Sequence, residues 1–153
     1  MTQMSNLPKR KDIRLKNYDY SSNGYYFVTI CTNNKEPFVK KHRQEIEKTL
    51  LNLPGRFTGL TLDYYSLTPT HLHIILILDN VKVALSQVVR TFKALVTKIT
   101  GEETFWQRNY YEHVIRTEKA LSKIREYIQN NPLVERIRFE QFYETGSMNR
   151  TPT

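Results

Sequence analysis

The sequence predicts an α+β fold in which helices pack on one antiparallel sheet. Two kinds of segment alternate along its 153 residues. Some are short runs of β-branched and aromatic residues, which are typical of strands, and others have apolar residues every three or four positions, which are typical of helices. A very short link, Thr68-Pro69-Thr70, joins two of the strands and indicates an antiparallel hairpin.

The first half of the chain predicts three strands and one helix. Residues 25–32 are dense in aromatic and β-branched side chains, which favours a central strand. An amphipathic helix is expected over about residues 40–53, ended by Pro54-Gly55. Residues 60–67 and 71–78 then predict the two strands of the hairpin.

The second half predicts two further helices with a strand between them. Asp79-Asn80 offers a cap for a helix whose apolar stripe runs over residues 85–99. An irregular segment, residues 105–116, leads into the fourth strand, and a last helix follows over 118–131, because Pro132 disfavours a helical residue before it. The resulting order is that of a ferredoxin-like or RNA-recognition-like sheet with one additional helix.

Length and composition favour one domain that binds a polyanion. The domain is expected over residues 25–140, between a basic lead-in (1–24) and a polar tail (141–153). Lys and Arg total 23 against 15 Asp and Glu, a formal net charge of +8, which favours nucleic acid as the partner. The single cysteine, Cys31, excludes an intrachain disulfide and favours a reducing intracellular setting. The longest apolar run, residues 74–78, is too short to span a bilayer.

Two histidines, His71 and His73, open the third strand. Side chains alternate between the faces of a strand, so both rings are expected on the same face. Two neutral imidazoles can hold one metal ion if a third ligand comes from another element. The alternative is that the two histidines occur together by chance or form a hydrogen-bonded surface pair, without binding metal.

Tyr127 and Asn131 lie four residues apart, and therefore one turn apart, on the last predicted helix. In one interpretation Tyr127 packs in the core and Asn131 caps the helix end. In the other, Asn131 gives an amide oxygen to a metal held by the histidines, and Tyr127 presents its phenol to a substrate. That chemistry would be phosphoryl transfer, with the phenol oxygen displacing a sugar oxygen in line. A phenol is almost fully protonated at neutral pH, so a base would also be needed.

Three blocks in this order resemble the single-tyrosine HUH transposases, and within them the REP-associated tyrosine transposases. The blocks are Tyr18-Asp19-Tyr20 with residues 26–32, Pro69-Thr70-His71-Leu72-His73, and residues 106–116 leading to 127–132. The resemblance implies that His71 and His73 bind a divalent metal, Mg or Mn, that Asn131 completes the metal site, and that Tyr127 is the nucleophile. One departure is Thr68-Pro69-Thr70, where the family usually has Met-Pro-Asn.

The reaction implied by the resemblance is cleavage of single-stranded DNA, leaving a 5′-phosphotyrosine and a free 3′-hydroxyl that can later rejoin strands. The implied substrate is an imperfect palindromic hairpin, in a bacterial cytoplasm and at the nucleoid when DNA is bound. The chain would act as a monomer or homodimer. Four residues are expected to contact DNA: Lys93, Trp106, Arg108 and His113.

Two other functions compete with the transposase hypothesis. One is a non-catalytic single-stranded nucleic-acid-binding module of the same fold, which would not need all four of His71, His73, Tyr127 and Asn131. The other is a replication-initiator-like nickase, a class whose members usually carry extra domains.

Overall fold

The structure, a computed structural model, describes residues 23–143. Most of the basic lead-in and most of the polar tail lie outside these described residues, so both remain predictions. Within 23–143, no helix is long and apolar enough to cross a membrane.

Four antiparallel strands form one sheet in the order β2-β3-β1-β4. The strands are β1 Gly24–Cys31, β2 Leu60–Leu67, β3 His71–Leu78 and β4 Tyr111–Ile115. This is the ferredoxin-like order, and the predicted fold class and β2–β3 hairpin are confirmed. Strand β1 is buried along its whole length because it lies between β3 and β4 and both of its faces are covered.

Three helices cover one face of the sheet. They are α1 Phe38–Lys41, α2 Arg43–Asn52 and α3 Leu85–Thr100. Their apolar stripes pack on alternate residues of the central strands, among them Val28 and Ile30 of β1 and Ile74 and Leu76 of β3. This face holds the larger of two hydrophobic clusters and contributes most of the apolar burial that stabilises the fold.

Two predictions on this face were wrong in part. The first helix, expected as one helix over about residues 40–53, is interrupted at His42, whose φ of −115° and ψ of 36° separate α1 from α2. Helix α2 ends at Asn52, close to the predicted end, and a 3-10 turn, Leu53–Arg56, follows it. Helix α3 starts at Leu85 with Ala84 as its cap, rather than at Asp79-Asn80. Asn80 instead adopts a positive φ of 62°, which places it in a turn.

Helix α4, Glu118–Asn130, packs on the opposite face. It begins at Glu118, as predicted, and is capped by Thr117, whose hydroxyl accepts a hydrogen bond from the Ala120 backbone N–H at 3.0 Å. Its buried residues, Ala120, Leu121, Ile124 and Ile128, form a second cluster with Tyr25, Phe27 and Ile75 of the sheet. A 3-10 turn, Phe139–Phe142, completes this cluster. We call this side the α4 face.

Candidate functional site

The two histidines of β3 lie together on the α4 face, as the strand alternation predicts. Both are buried, with relative exposures of 1% for His71 and 0% for His73. Their ring centroids are 4.8 Å apart. Two imidazoles are therefore fixed side by side on a strand in the middle of the sheet.

Threonine hydroxyls hold the Nδ1 atoms of both rings. Thr29 lies opposite His73 in the β1–β3 register, and its Oγ1 is 2.8 Å from His73 Nδ1. Oγ1 of Thr68, in the link before β3, is 2.9 Å from His71 Nδ1. Phe27 stacks on the His73 ring at a centroid distance of 5.4 Å. These contacts leave each ring little freedom to rotate.

Backbone carbonyls meet the other nitrogen of each ring. His71 Nε2 is 3.1 Å from the oxygen of Pro132, and His73 Nε2 is 2.7 Å from the oxygen of Val134. A carbonyl can only accept, so each Nε2 carries a proton and donates it. The carbonyls come from residues 131–135, directly after α4, which we call the covering segment.

Both imidazoles are held neutral. Burial lowers the pKa of His71, and it lowers the pKa of His73 to about 4, with a further contribution from His71 next to it. Glu135 of the covering segment adds a negative charge close by, with its carboxylate 3.9 Å from His71 Nδ1 and 3.4 Å from the Lys35 ammonium. Burial also raises the pKa of Cys31 to about 11, so the thiol stays protonated.

A divalent metal fits the donor chemistry of this pair if the ring protons move. Transfer of each proton from Nε2 to Nδ1 would free an Nε2 lone pair, and the hydroxyl oxygens of Thr29 and Thr68 could accept the new N–H groups. Hydrogen bonding of the non-ligating nitrogen is the usual support for a metal-bound histidine. Among residues 23–143, no set of three or more His, Cys, Asp or Glu side chains is placed to hold a metal.

Tyr127 and Asn131 lie at the end of α4 that leads into the covering segment. The Tyr127 ring is half-buried and contacts Phe142 edge to face, with centroids 5.5 Å apart. The Asn131 side chain is exposed, and its Nδ2 donates to the Tyr127 carbonyl at 3.0 Å. In this arrangement Asn131 ends the helix, so its part in metal binding remains a prediction.

An ion pair holds α4 against the edge of the sheet. Strand β2 has a register shift between Leu62 and Tyr64, where Asp63 is the extra residue. The Asp63 carboxylate accepts two hydrogen bonds from Arg125, at 3.0 Å from Nε and 2.6 Å from Nη2. Paired hydrogen bonds of this kind are directional, unlike the apolar contacts under the helix. Arg125 precedes Tyr127 by two residues, so the pair fixes the part of α4 that carries the tyrosine.

Two of the residues predicted to contact DNA are engaged with each other. The Lys93 ammonium donates to the carbonyls of Gln107 and Arg108 at 2.8 and 3.1 Å, and burial lowers its pKa. The Trp106 indole N–H donates to the Lys93 carbonyl at 3.2 Å, and its ring packs against Phe105 with centroids 4.3 Å apart. Both residues fasten the segment before β4 onto α3, and DNA contact by either remains a prediction.

The other two differ in exposure. Arg108 is exposed in the same segment. His113 is half-buried on the α4 face, stacked parallel on Phe139 at 4.0 Å, with Nε2 2.7 Å from the Tyr143 hydroxyl. Burial lowers the pKa of His113 to about 3. The His113 ring supports the 3-10 turn, and DNA binding by it and by Arg108 remains untested.

Sequence reasoning missed the atoms that surround the histidines. Thr29 was interpreted only as a β-branched strand residue. It lies two positions after Phe27 in β1, however, and therefore on the same face of the sheet. The carbonyls of Pro132 and Val134 left no signal, since every residue has a carbonyl. The Asp63–Arg125 pair depends on a bulge that the pattern of β2 does not reveal.

The chain matches the family model described as "Transposase IS200 like" over residues 20–131. A Haemophilus influenzae protein of uncharacterised function is 38% identical over 160 aligned residues, which cover 82% of this chain and 89% of that protein. A second Haemophilus influenzae protein, provisionally named a REP-associated tyrosine transposase, is 24% identical over 140 residues, covering 78% of this chain and 77% of its own.

A solved structure of a REP-associated tyrosine transposase bound to a REP hairpin shares the fold. It superposes with a TM-score of 0.66 at 22% identity and covers 81% of this chain and 73% of that one. The family match spans more than half of the chain, and it includes the histidine pair and the helix with Tyr127. The chain therefore belongs to the IS200-like transposase family.

Proposed function

We propose that this chain cleaves and rejoins single-stranded DNA, with Tyr127 as nucleophile and with Mg²⁺ or Mn²⁺ held by His71, His73 and Asn131. The observation that carries the proposal is the packing of α4 on the sheet face where the two imidazoles lie side by side. The DNA would be a hairpin with single-stranded flanks, by analogy with the REP hairpin bound by the structural relative.

The step is an exchange of one phosphodiester for another. The phenol oxygen of Tyr127 bonds to phosphorus, the bond from phosphorus to the 3′-oxygen breaks, and the DNA keeps a free 3′-hydroxyl. The phenol proton leaves to a base, and the departing 3′-oxygen gains a proton. A bound divalent cation would polarise the scissile phosphate. Because one ester replaces another, the same residues can run the reaction backwards and rejoin strands without an energy-rich cofactor.

The chain's own residues contribute positioning. Thr29 and Thr68 orient the two imidazoles, and the Asp63–Arg125 pair holds α4 against the sheet. Holding a nucleophile and a phosphate in reactive geometry removes much of the entropic cost of their encounter. The net charge of +8 favours the approach of DNA.

A denaturing gel can detect the covalent adduct directly. Both single strands of the DNA flanking the gene would be incubated with the protein, with Mg²⁺ or Mn²⁺ or with chelator. We expect an adduct that needs metal and is lost in Tyr127→Phe and in His71→Ala. Tyr64→Phe removes the hydroxyl of another half-buried tyrosine on the α4 face and should leave the adduct intact.

A second candidate is a single-stranded nucleic-acid-binding module without catalysis. It is favoured by one observation, the two carbonyls that occupy Nε2 of both histidines. Tight hairpin binding with no adduct under either metal would replace the transferase with this module. For binding alone, the slope of the logarithm of the binding constant against the logarithm of the salt concentration should be about −0.7 per phosphate neutralised on a single strand.

A further inference from the structure

Tyr111, at the start of β4, lies in the same row of the sheet as the histidine site. It pairs with Thr29 across β1 and β4, and Thr29 pairs with His73 across β1 and β3. Residues directly opposite in antiparallel strands project to the same face, so Tyr111 belongs to the α4 face. Two strand spacings of about 4.8 Å put its backbone about 10 Å from that of His73.

The Tyr111 side chain is 36% exposed, a large fraction for an aromatic ring on this face. Neighbouring rings pack against His113, Phe139 and Arg116, since His113 stacks on Phe139 and the Arg116 guanidinium lies over Tyr143. The partner of the Tyr111 ring is instead the exposed side chain of Arg136. Tyr111 therefore offers an aromatic surface beside the site, in the same block of the sequence as Trp106, which was expected to contact DNA.

Arg136 supplies a cation at the same place. Its guanidinium carbon lies 4.7 Å from the centroid of the Tyr111 ring, and its side chain is exposed just beyond the covering segment. A guanidinium can stack on a base as well as on tyrosine, and it can also pair with a phosphate. An aromatic ring with an arginine over it is thus suited to an unpaired nucleotide.

We propose that Tyr111 and Arg136 form a clamp for one unpaired base of the DNA strand, next to the phosphate at the histidine site. The base stacks on the Tyr111 ring, and the exposed Arg136 guanidinium moves outward from its 4.7 Å contact with that ring to admit the base and neutralise the adjoining phosphate. The position next to the scissile phosphate rests on the proposed function. Stacking on a ring accepts any base, so the clamp sets where the strand lies rather than which sequence is chosen.

Hairpin affinity can test the clamp apart from chemistry. Fluorescence anisotropy with the full chain would use hairpin DNA with a single-stranded flank, in the Tyr127→Phe background so that no adduct forms. We expect Tyr111→Ala to weaken binding about 5- to 150-fold, the range found for loss of one stacked base. Tyr111→Trp should restore it. Leu51→Ala, which shortens an exposed side chain of α2 on the opposite face, should bind as the parent does.

The DNA supplies the second half of the test. Abasic nucleotides would be placed one at a time along the flank. At one position the abasic site should weaken binding by the parent as much as Tyr111→Ala does. At that position, Tyr111→Ala should cause no further loss of affinity. The clamp would be overturned if the loss of affinity from Tyr111→Ala added to that from the abasic site at every position. It would also be overturned if Tyr111→Ala lowered thermal stability but left affinity unchanged. If that one position appears but the protein with Tyr127 intact forms no adduct, the base clamp stands and the proposed cleavage fails.

Discussion

The Thr29 hydroxyl and His73 Nδ1, 2.8 Å apart, join two neighbouring strands through a buried hydrogen bond at the centre of the α4 face. The bond serves either tautomer of the ring, since a hydroxyl can donate to Nδ1 or accept from it. Thr29 can therefore support the observed bond from His73 to the Val134 carbonyl, and it could equally support the proposed metal-bound tautomer.

Thr29→Val should weaken both the fold and metal binding. The change keeps the shape of the side chain but leaves a buried nitrogen unpaired, which costs about 1–3 kcal/mol in the free energy of unfolding. Loss of such a second-layer partner lowers metal affinity about 10- to 100-fold. Urea unfolding and Mn²⁺ titration followed by electron paramagnetic resonance measure the two effects. Thr61→Val, an exposed position on β2, is the control, and an unchanged Mn²⁺ affinity in Thr29→Val would contradict the assigned role.

Breaking the Asp63–Arg125 pair should slow adduct formation more than it lowers stability. The pair is partly exposed at Arg125, so Asp63→Asn should cost only about 1 kcal/mol in unfolding. A displacement of α4 by about 1 Å can slow a positioned reaction about 100-fold. Single-turnover adduct formation at saturating hairpin separates this loss of rate from loss of binding.

The exchanged pair, Asp63→Arg with Arg125→Asp, should recover part of that rate. Glu102→Gln removes the carboxylate that contacts both Lys41 and His42 on the other face, and it should leave the rate unchanged. Two results would show that α4 needs no such pair to position Tyr127. One is that Glu102→Gln slows adduct formation as much as Asp63→Asn does. The other is that the rate in Asp63→Asn falls only in proportion to the folded fraction.

Acid should destabilise the protein partly through His113. Burial next to Arg116 and Tyr143 lowers its pKa from 6.5 to about 3, so between those values the unfolded chain binds a proton that the folded chain does not. Stability then rises with pH through this window and is lost as the pH falls from about 6.5 towards 3. His73 contributes in the same direction, with its own lowered pKa.

The His113 contribution can be isolated by its variant. His113→Gln should unfold at a lower urea concentration at pH 7.5, yet lose less stability than the parent between pH 6.5 and 4. A His113→Gln profile parallel to that of the parent would mean that His113 is not held neutral.

Gly59→Ala should be strongly destabilising. Gly59 has a φ of 93°, and a Cβ there would overlap the Asp79 carbonyl oxygen. Gly59 directly precedes β2 and Asp79 directly follows β3, so the overlap would lie at the end of this strand pair that is opposite the hairpin link. A positive φ alone costs a side chain about 1–2 kcal/mol, and the overlap adds to that. Urea unfolding should show a loss of more than about 2 kcal/mol, whereas Gly55→Ala, which has no atom within 4 Å of the new Cβ, should be close to neutral.

The spacing of apolar residues was sufficient to predict the sheet, because a strand can bury its apolar side chains in a core only if they follow the strand's alternation between faces. The strand runs of β1 and β3 can bury their side chains only in the middle of a sheet, and the alternation along β3 was enough to predict that both histidines lie on one face. The start of α3 was predicted wrongly. Asp79-Asn80 has the chemistry of a helix cap, but Val81 after it is buried in the core, and the helix begins only at Leu85.

The surroundings of the candidate site were less predictable, for two physical reasons. Backbone atoms carry no sequence signal, so the carbonyls of Pro132 and Val134 at the histidines could not be foreseen. Long-range partners such as Lys93 and Trp106 have the right residue types for DNA contact, and only the fold shows that their polar atoms already have partners. The roles of Tyr127 and Asn131 rest on spacing and family membership and remain predictions.

The covering segment reaches the Nε2 atoms of the two histidines through backbone carbonyls alone. Leu133, between the two carbonyls, is 72% exposed and points its side chain elsewhere. Substitutions at this position can therefore accumulate without changing what the imidazoles contact, whereas the insertion or deletion of one residue would shift both oxygens at once. In natural relatives that keep this contact, the distance along the chain from Tyr127 to the two carbonyls should vary less than the side chains between them.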